Sequence, residues 1–184
     1  MPKKCQNLDI WKLEMSDDPQ PIEIHNSVKL FDFWNEPTKT LELATIDLWS
    51  RNKVFADPEI IKQRLKQIVI TAVDESGKAV GVSTVVEGLY PQYLPNYFQS
   101  DVFYFRMFTD PAARVERLML KMTNVAFEIL EGQKSVHKKT SLVLVGENPK
   151  FSRKAAVIGL KRHGYLVVGL NQFNQPIFKK DFRS

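Results

Sequence analysis

The chain switches between two hydrophobic periods, and the switches divide it into elements. β-branched and apolar residues run together at Ile68-Val69-Ile70-Thr71-Ala72-Val73, Asp74-Glu75-Ser76-Gly77 is a turn sequence, and Lys78 to Val86 resumes the extended pattern. This predicts a hairpin. Val102-Phe103-Tyr104-Phe105-Arg106-Met107-Phe108 predicts a central strand, and Ser141-Leu142-Val143-Leu144-Val145 another. Between them Val115, Leu118, Met119, Met122, Val125, Ala126, Ile129 and Leu130 recur at helical spacing, with Gly132 placed to end the helix. Two apolar strands separated by a helix predict parallel neighbours joined by a right-handed crossover.

Helical spacing appears on both sides of this unit. Leu41, Ala44, Ile46, Leu48 and Trp49 predict a helix from Glu36-Pro37 to about Asn52, and Asp57-Pro58 opens a second carrying Ile60, Ile61, Leu65 and Ile68. Asn148-Pro149 is placed to cap a helix bearing Ala155, Ala156, Ile158 and Leu160, which Gly164 stops. Tyr165 to Leu170 and Pro176 to Phe178 predict a terminal hairpin. Ile22-Glu23-Ile24 reads as an early strand within an N-terminal extension over residues 1–34, which leaves 35–184 as the main domain. Residues 88–100, rich in proline and aromatic side chains, predict a long loop.

The junction Thr109-Asp110-Pro111 carries the first hint of chemistry. Asp110 suits a helix cap and Pro111 the first helical position, so the free amides of the first turn would face the end of the central strand. Such a site attracts anions, and Arg114 adds a positive charge to it.

Composition narrows the class. With 184 residues, 43% hydrophobic and 11% aromatic, the chain suits one domain with a sizeable core. No apolar run approaches the roughly 20 residues that span a bilayer, and Met1-Pro2-Lys3-Lys4-Cys5 lacks the apolar core of a signal peptide. The expectation is a cytoplasmic protein, or one carried inside a particle. A single cysteine, Cys5, excludes an internal disulfide framework, and three histidines are poor material for a zinc site. The net charge of +5 is uneven: residues 134–184 hold 11 Lys/Arg against Glu147 and Asp181. That +9 segment is either a solvated face or a surface for phosphates, nucleic acid or an acidic protein. No P-loop, nucleophile elbow, useful Cys/His pair or dinucleotide glycine motif is present.

Two helices, a hairpin, a central strand, a helix, a parallel strand, a helix ending at Gly-aromatic and a final hairpin form an order that resembles the GNAT superfamily of N-acetyltransferases, over about residues 35 to 180. The resemblance implies an α/β (α+β) fold: a mixed central sheet of about six to seven strands, flanked by helices, with one parallel pair. It extends to a pattern similar to V-x-P-x-x-R-x-x-G-x-G/A, matched here by Thr109, Pro111 and Arg114, whereas the glycine positions fall on Arg117 and Met119. In the family that loop wraps the coenzyme A pyrophosphate. The resemblance thus implies an acetyl-CoA site in which Met107, Phe108 and Thr109 align the pantetheine while Arg114 and Arg117 face phosphate. Asn148 opens the second motif. The tyrosine that often protonates the leaving thiolate, four residues before Gly164, is Leu160 here.

Transfer to an amine needs a proton acceptor near the acceptor opening. Glu87, at the end of the third strand of that order, and Asp101, at the start of the fourth, are the candidates, and each is otherwise a surface carboxylate. Tyr90, Tyr93, Tyr97 and Phe98 either line an acceptor pocket for a small-molecule or protein amine or cap the core. Lys150, Arg153, Lys154, Lys161 and Arg162 would meet the adenosine 3′-phosphate, or nucleic acid, or solvent. Two readings stay open: transfer of an acetyl group from acetyl-CoA to an amine, or a catalytically degenerate scaffold of the kind small tailed phages carry, including virion components.

Overall fold

The strand signals gather into a single sheet, in which the apolar runs at 68–73, 102–105 and 141–144 are buried. The structure is a computed structural model that describes residues 19–87, 101–113 and 115–183. The sheet has eight strands in the order β1-β2-β3-β4-β5-β6-β8-β7. They are β1 Glu23–His25, β2 Val28–Asp32, β3 Ile68–Val73, β4 Ala79–Glu87, β5 Val102–Thr109, β6 Ser141–Val145, β7 Leu166–Leu170 and β8 Pro176–Asp181. The helices are α1 Lys39–Arg51, α2 Pro58–Leu65, α3 Leu118–His137 and α4 Lys154–Arg162. Every neighbouring pair is antiparallel except β5 and β6, which are parallel as their intervening helix requires.

Eight strands exceed the six to seven expected. The count rises because residues 23–32 fold into a hairpin whose second strand pairs with β3, Leu30 opposite Ala72. Its five-residue strand Val-Lys-Leu-Phe-Asp buries Val28, Leu30 and Phe31 but is too short for a periodicity signal.

Strand alternation distributes the core over both faces of the sheet. Leu30 joins the cluster under α3 and α4, with Phe103, Phe105, Met122, Phe127 and Leu160, while its neighbour Phe31 joins the cluster under α1 with Leu48 and Trp49. Asp57 accepts from the Glu59 N–H at 2.8 Å, so α2 starts at its expected cap, whereas α1 starts later than Glu36-Pro37, with Thr38 as its cap accepting from the Leu41 N–H at 3.3 Å.

Two further expected boundaries move. Gly132 does not end α3, which runs on to His137 and closes with Lys138 in the left-handed region, φ 52°. The extra turn brings the His137 ring to 5.6 Å from those of both Trp34 and Phe103, a contact worth more than an early stop. Gly132 then lies mid-helix, where an added Cβ would meet nothing within 4 Å. Gly132→Ala is expected to stabilise the protein by about 0.8 kcal/mol, seen as a raised midpoint in urea unfolding with the slope unchanged. Asn148-Pro149 does not cap α4 either. The Asn148 carbonyl accepts from Phe151 N–H at 2.9 Å, closing a 3-10 turn over Pro149–Ser152, and α4 starts later with Arg153 at its cap. The Gly164 stop holds, φ 84°.

Candidate active site: a cleft where the sheet divides

β5 and β6 run together only from Val102↔Ser141 to Phe105↔Leu144. Beyond Phe105, β5 follows β4 as far as Thr109, paired with Gly81. β6 turns instead with β8: the Gly146 N–H donates to the Pro176 carbonyl at 2.8 Å. Glycine is required there, since an added Cβ would come within 2.7 Å of Phe151 Cβ and 3.0 Å of Pro176 Cγ. The sheet therefore divides, and residues 107–109 present to the opening a strand edge that lies beyond the β5–β6 register.

The opening is a cleft of about 620 Å³. One wall is Phe105 to Thr109 of β5, and a second is Val115, Arg117 and the first turn of α3, Leu118, Met119 and Leu120. Leu144, Val145, Glu147 and Asn148 follow from β6 and its turn, and Ala156, Gly159 and Leu160 of α4 close the far side. The volume lies within the range of small-molecule sites. Apolar groups line most of it, with Arg106, Thr109, Arg117, Thr123, Glu147 and Asn148 as the polar exceptions.

Asp110 does not cap α3, contrary to the reading of Asp110-Pro111. Its carboxylate accepts from the Ala112 N–H at 2.9 Å and from Arg51 Nε and Nη2 at 3.1 and 2.9 Å. The bond from Ala112 holds the Asp110 carboxyl below the usual carboxylate range against its burial, and Arg51 adds to this. Arg51 also donates to Asp47 and to the Ala79 carbonyl, which ties the start of the 110–117 loop to α1 and β4. At the loop's other end, His25 Nε2 donates to the Glu116 carbonyl at 2.7 Å, and Lys121 pairs with Glu23 at 2.8 Å. The loop is thus fixed at both ends by residues far away in sequence.

With Asp110 engaged elsewhere, α3 begins without a side-chain cap. Its Ncap is Arg117 in the left-handed region, φ 58° and ψ 11°, where a glycine would sit without strain. The uncapped first turn lies along the cleft, an arrangement suited to an anion, and Arg117 lines the same wall. Arg117→Gly is expected to raise stability by about 1 kcal/mol through the relaxed backbone, whereas Arg117→Ala keeps the strain and gains nothing. Thermal melting of the pair checks this.

Of the residues singled out in the sequence as cofactor contacts, Met107, Phe108, Thr109, Arg117 and Asn148 line the cleft. Leu160 lines it too, 7% exposed, and no tyrosine is among the described lining residues. Tyr165 is buried behind α3, where its hydroxyl donates to the Thr123 carbonyl at 3.4 Å; burial pushes its phenol well above the ordinary range. Asp101 sits at the opposite end of β5, held by the Thr140 hydroxyl at 2.8 Å. Glu87 ends β4 opposite Phe103, also away from the cleft end, and only its main-chain placement is described. Arg114, Tyr90, Tyr93, Tyr97 and Phe98 lie outside the described residues. Of the basic set, Arg153, Lys154, Lys161 and Arg162 are exposed around α4.

Glu147 and Arg106 occupy none of the motif positions. They face one another across the divided strands, 3.3 Å apart. Glu147 comes just after β6, where a sequence pattern alone cannot tell a cleft wall from an exposed turn.

No protein-family model matches the chain, and no curated protein sequence is significantly similar to it. Solved structures do match. Ribosomal-protein-S5-alanine acetyltransferase of Vibrio fischeri aligns over 90% of this chain and 98% of its own, with TM-score 0.56 and 14% identity. A GNAT superfamily phosphinothricin acetyltransferase of Sinorhizobium meliloti, solved in complex with AcCoA, aligns over 85% and 89% with TM-score 0.51 and 14% identity. An aminoglycoside 6′-acetyltransferase type Ii aligns over 85% and 97% with TM-score 0.50 and 13% identity. The eight-stranded mixed sheet, divided at its one parallel pair and crossed by α3, is the GNAT fold.

Proposed function

We propose that the cleft binds an acyl-coenzyme A and that the protein transfers the acyl group to an amine. The observation that carries this reading is the divided sheet itself. It presents the β5 edge beyond the β5–β6 register, an apolar channel and an uncapped helix start in one cleft, each suited to a different part of a long, phosphate-ended thioester. The edge of Met107 to Thr109 offers main-chain groups to the pantetheine amides. The first turn of α3 and Arg117 face its pyrophosphate, and the exposed cations of α4 lie toward its nucleotide end.

An acyl thioester supplies an activated carbonyl carbon. The chain's own part is to hold that carbon in place and to manage protons. We assign to Glu147, the single carboxylate among the described lining residues, the task of taking the proton that an acceptor ammonium must lose. Arg106, which shares that carboxylate, positions it. With Leu160 where a phenol would stand, water protonates the leaving thiolate.

A scaffold role would have the interstrand space filled by side chains such as Met119. The cleft beside Met119 is open, which favours a ligand site. The chemistry is tested by following free thiol from acetyl-coenzyme A with a panel of amines. Thiol release that depends on the amine and falls at least about 100-fold in Glu147→Gln supports the reading. Release no faster than the amine-free blank with every acceptor counts against transfer.

A further inference from the structure

The two faces of the sheet bring different chemistry to the gap between β5 and β6. Phe105 and Met107 pack in the cluster under α3 and α4, whereas Phe108 packs in the cluster under α1. Strand alternation therefore directs Arg106 to the face away from α3, the face on which Tyr104 lies with Val143 and Val145 of β6. Glu147 follows Val145 by two residues and meets Arg106, Oε1 to Nη2 3.3 Å. Leu118 and Met122 of α3 belong to the other face. The helix start that suits a pyrophosphate and this ion pair thus approach the gap from opposite sides.

The pair is accessible. Its side chains are 29 and 45% exposed, and both residues line the cleft. An incoming molecule can therefore reach both charges from the face that the helix start leaves free.

We propose that the acceptor is an α-amino acid, with its ammonium on Glu147 and its carboxylate on Arg106. This rests on the acyl-transfer reading above and names the acceptor class for it. Two opposite charges side by side match a molecule whose ammonium and carboxylate are one carbon apart, because each acceptor group replaces the partner that a side chain gives up. The guanidinium fork can also donate two parallel bonds to the carboxylate.

The proton transfer sharpens the selection. The acceptor ammonium gives one proton to Glu147, its nitrogen forms the new C–N bond as the thioester C–S bond breaks, and a second proton passes from nitrogen to the leaving sulfur through water. The products are an N-acyl amino acid and the free thiol. Once Glu147 is neutral its charge no longer offsets that of Arg106, and the acceptor carboxylate takes its place. A plain amine supplies no such charge. An acceptor with several ammonium groups would set like charges against Arg106.

Initial rates of thiol release from acetyl-coenzyme A, measured with the common α-amino acids and with their decarboxylated counterparts, test this. For the best amino acid kcat/KM should exceed that of its counterpart at least about 30-fold, mainly through KM. Arg106→Gln should collapse that ratio toward one. Arg106→Lys, which keeps the charge without the fork, should retain an intermediate preference, as a purely structural role would not. Titration of the protein with the same two compounds, in excess coenzyme A, needs no turnover: the amino acid should bind more tightly by a similar factor. Equal rates with the two compounds, equal binding of the two, or binding of neither overturns the proposal. Amino-acid binding without thiol release would support the acceptor site and overturn acyl transfer instead.

Discussion

Gly159→Leu is expected to abolish coenzyme A binding and to leave the protein at least as stable as before. Gly159 lies mid-way along α4 on the cleft wall, and an added Cβ there meets nothing within 4 Å. The space beyond it belongs to the open cleft rather than to the core. A leucine replaces the worst ordinary helix former with one of the best, a gain of about 0.8 kcal/mol, while its four carbons occupy the channel. The affinity loss should be at least about 100-fold, the equivalent of about 2.7 kcal/mol. Titration and thermal melting on the same sample separate the two effects. A variant that melts higher and still binds normally would place the ligand elsewhere.

Arg51→Ala should be the most destabilising single change outside the apolar core. Asp110 is 8% exposed, and Arg51 supplies two of its hydrogen bonds while also reaching Asp47 and the Ala79 carbonyl. Truncation leaves a buried carboxylate with the Ala112 N–H as its chief donor, at a cost of about 3 kcal/mol. For a chain of this length that lowers the melting temperature by roughly 6 to 12 °C. Because the Asp110 carboxyl is held below its ordinary range in the folded protein, its contribution is present above the unfolded value near about 4 and is lost as pH falls through the folded value. The gap between wild type and Arg51→Ala should therefore narrow in acid. A difference under about 0.5 kcal/mol at neutral pH would show that the pair does not hold the loop.

The elements were legible wherever a local rule decided them. Periodicity and β-branching set β3, β4, β5 and β6, and Asp57 and Gly164 marked helix ends through local capping and backbone preferences. The boundaries that moved were decided by distant partners. Asp110 reads as a cap until Arg51, 59 residues away, claims its carboxylate. Gly132 reads as a stop until the rings of Trp34 and Phe103 reward another turn with His137. β2 was missed because five residues carry too little pattern, and their strand character comes from pairing with β3.

The site divides along the same line. Met107, Phe108, Thr109, Arg117 and Asn148, which line the cleft, stand out in the sequence because they belong to contiguous motifs running from the end of β5 to the start of α3 and at the turn after β6. Glu147 was not singled out, since its place on the cleft wall depends on where β6 leaves β5, and that follows from Gly146 bonding to Pro176 across the terminal hairpin. Asp101 and Glu87 drew attention as carboxylates at strand ends, but those ends lie where the strands converge. The clamps on the 110–117 loop, Arg51 and His25, come from α1 and β1, and no spacing rule links them to it.

Isothermal titration of the full chain with acetyl-coenzyme A tests the central claim most directly, because it asks for the ligand without assuming an acceptor. The divided sheet, the uncapped start of α3 and Arg117 predict one site per chain with a dissociation constant on the order of micromolar, weakened at least about 100-fold in Gly159→Leu. No heat of binding at a protein concentration of about 100 μM, with the protein folded, would contradict the account and leave the cleft without the ligand assigned to it.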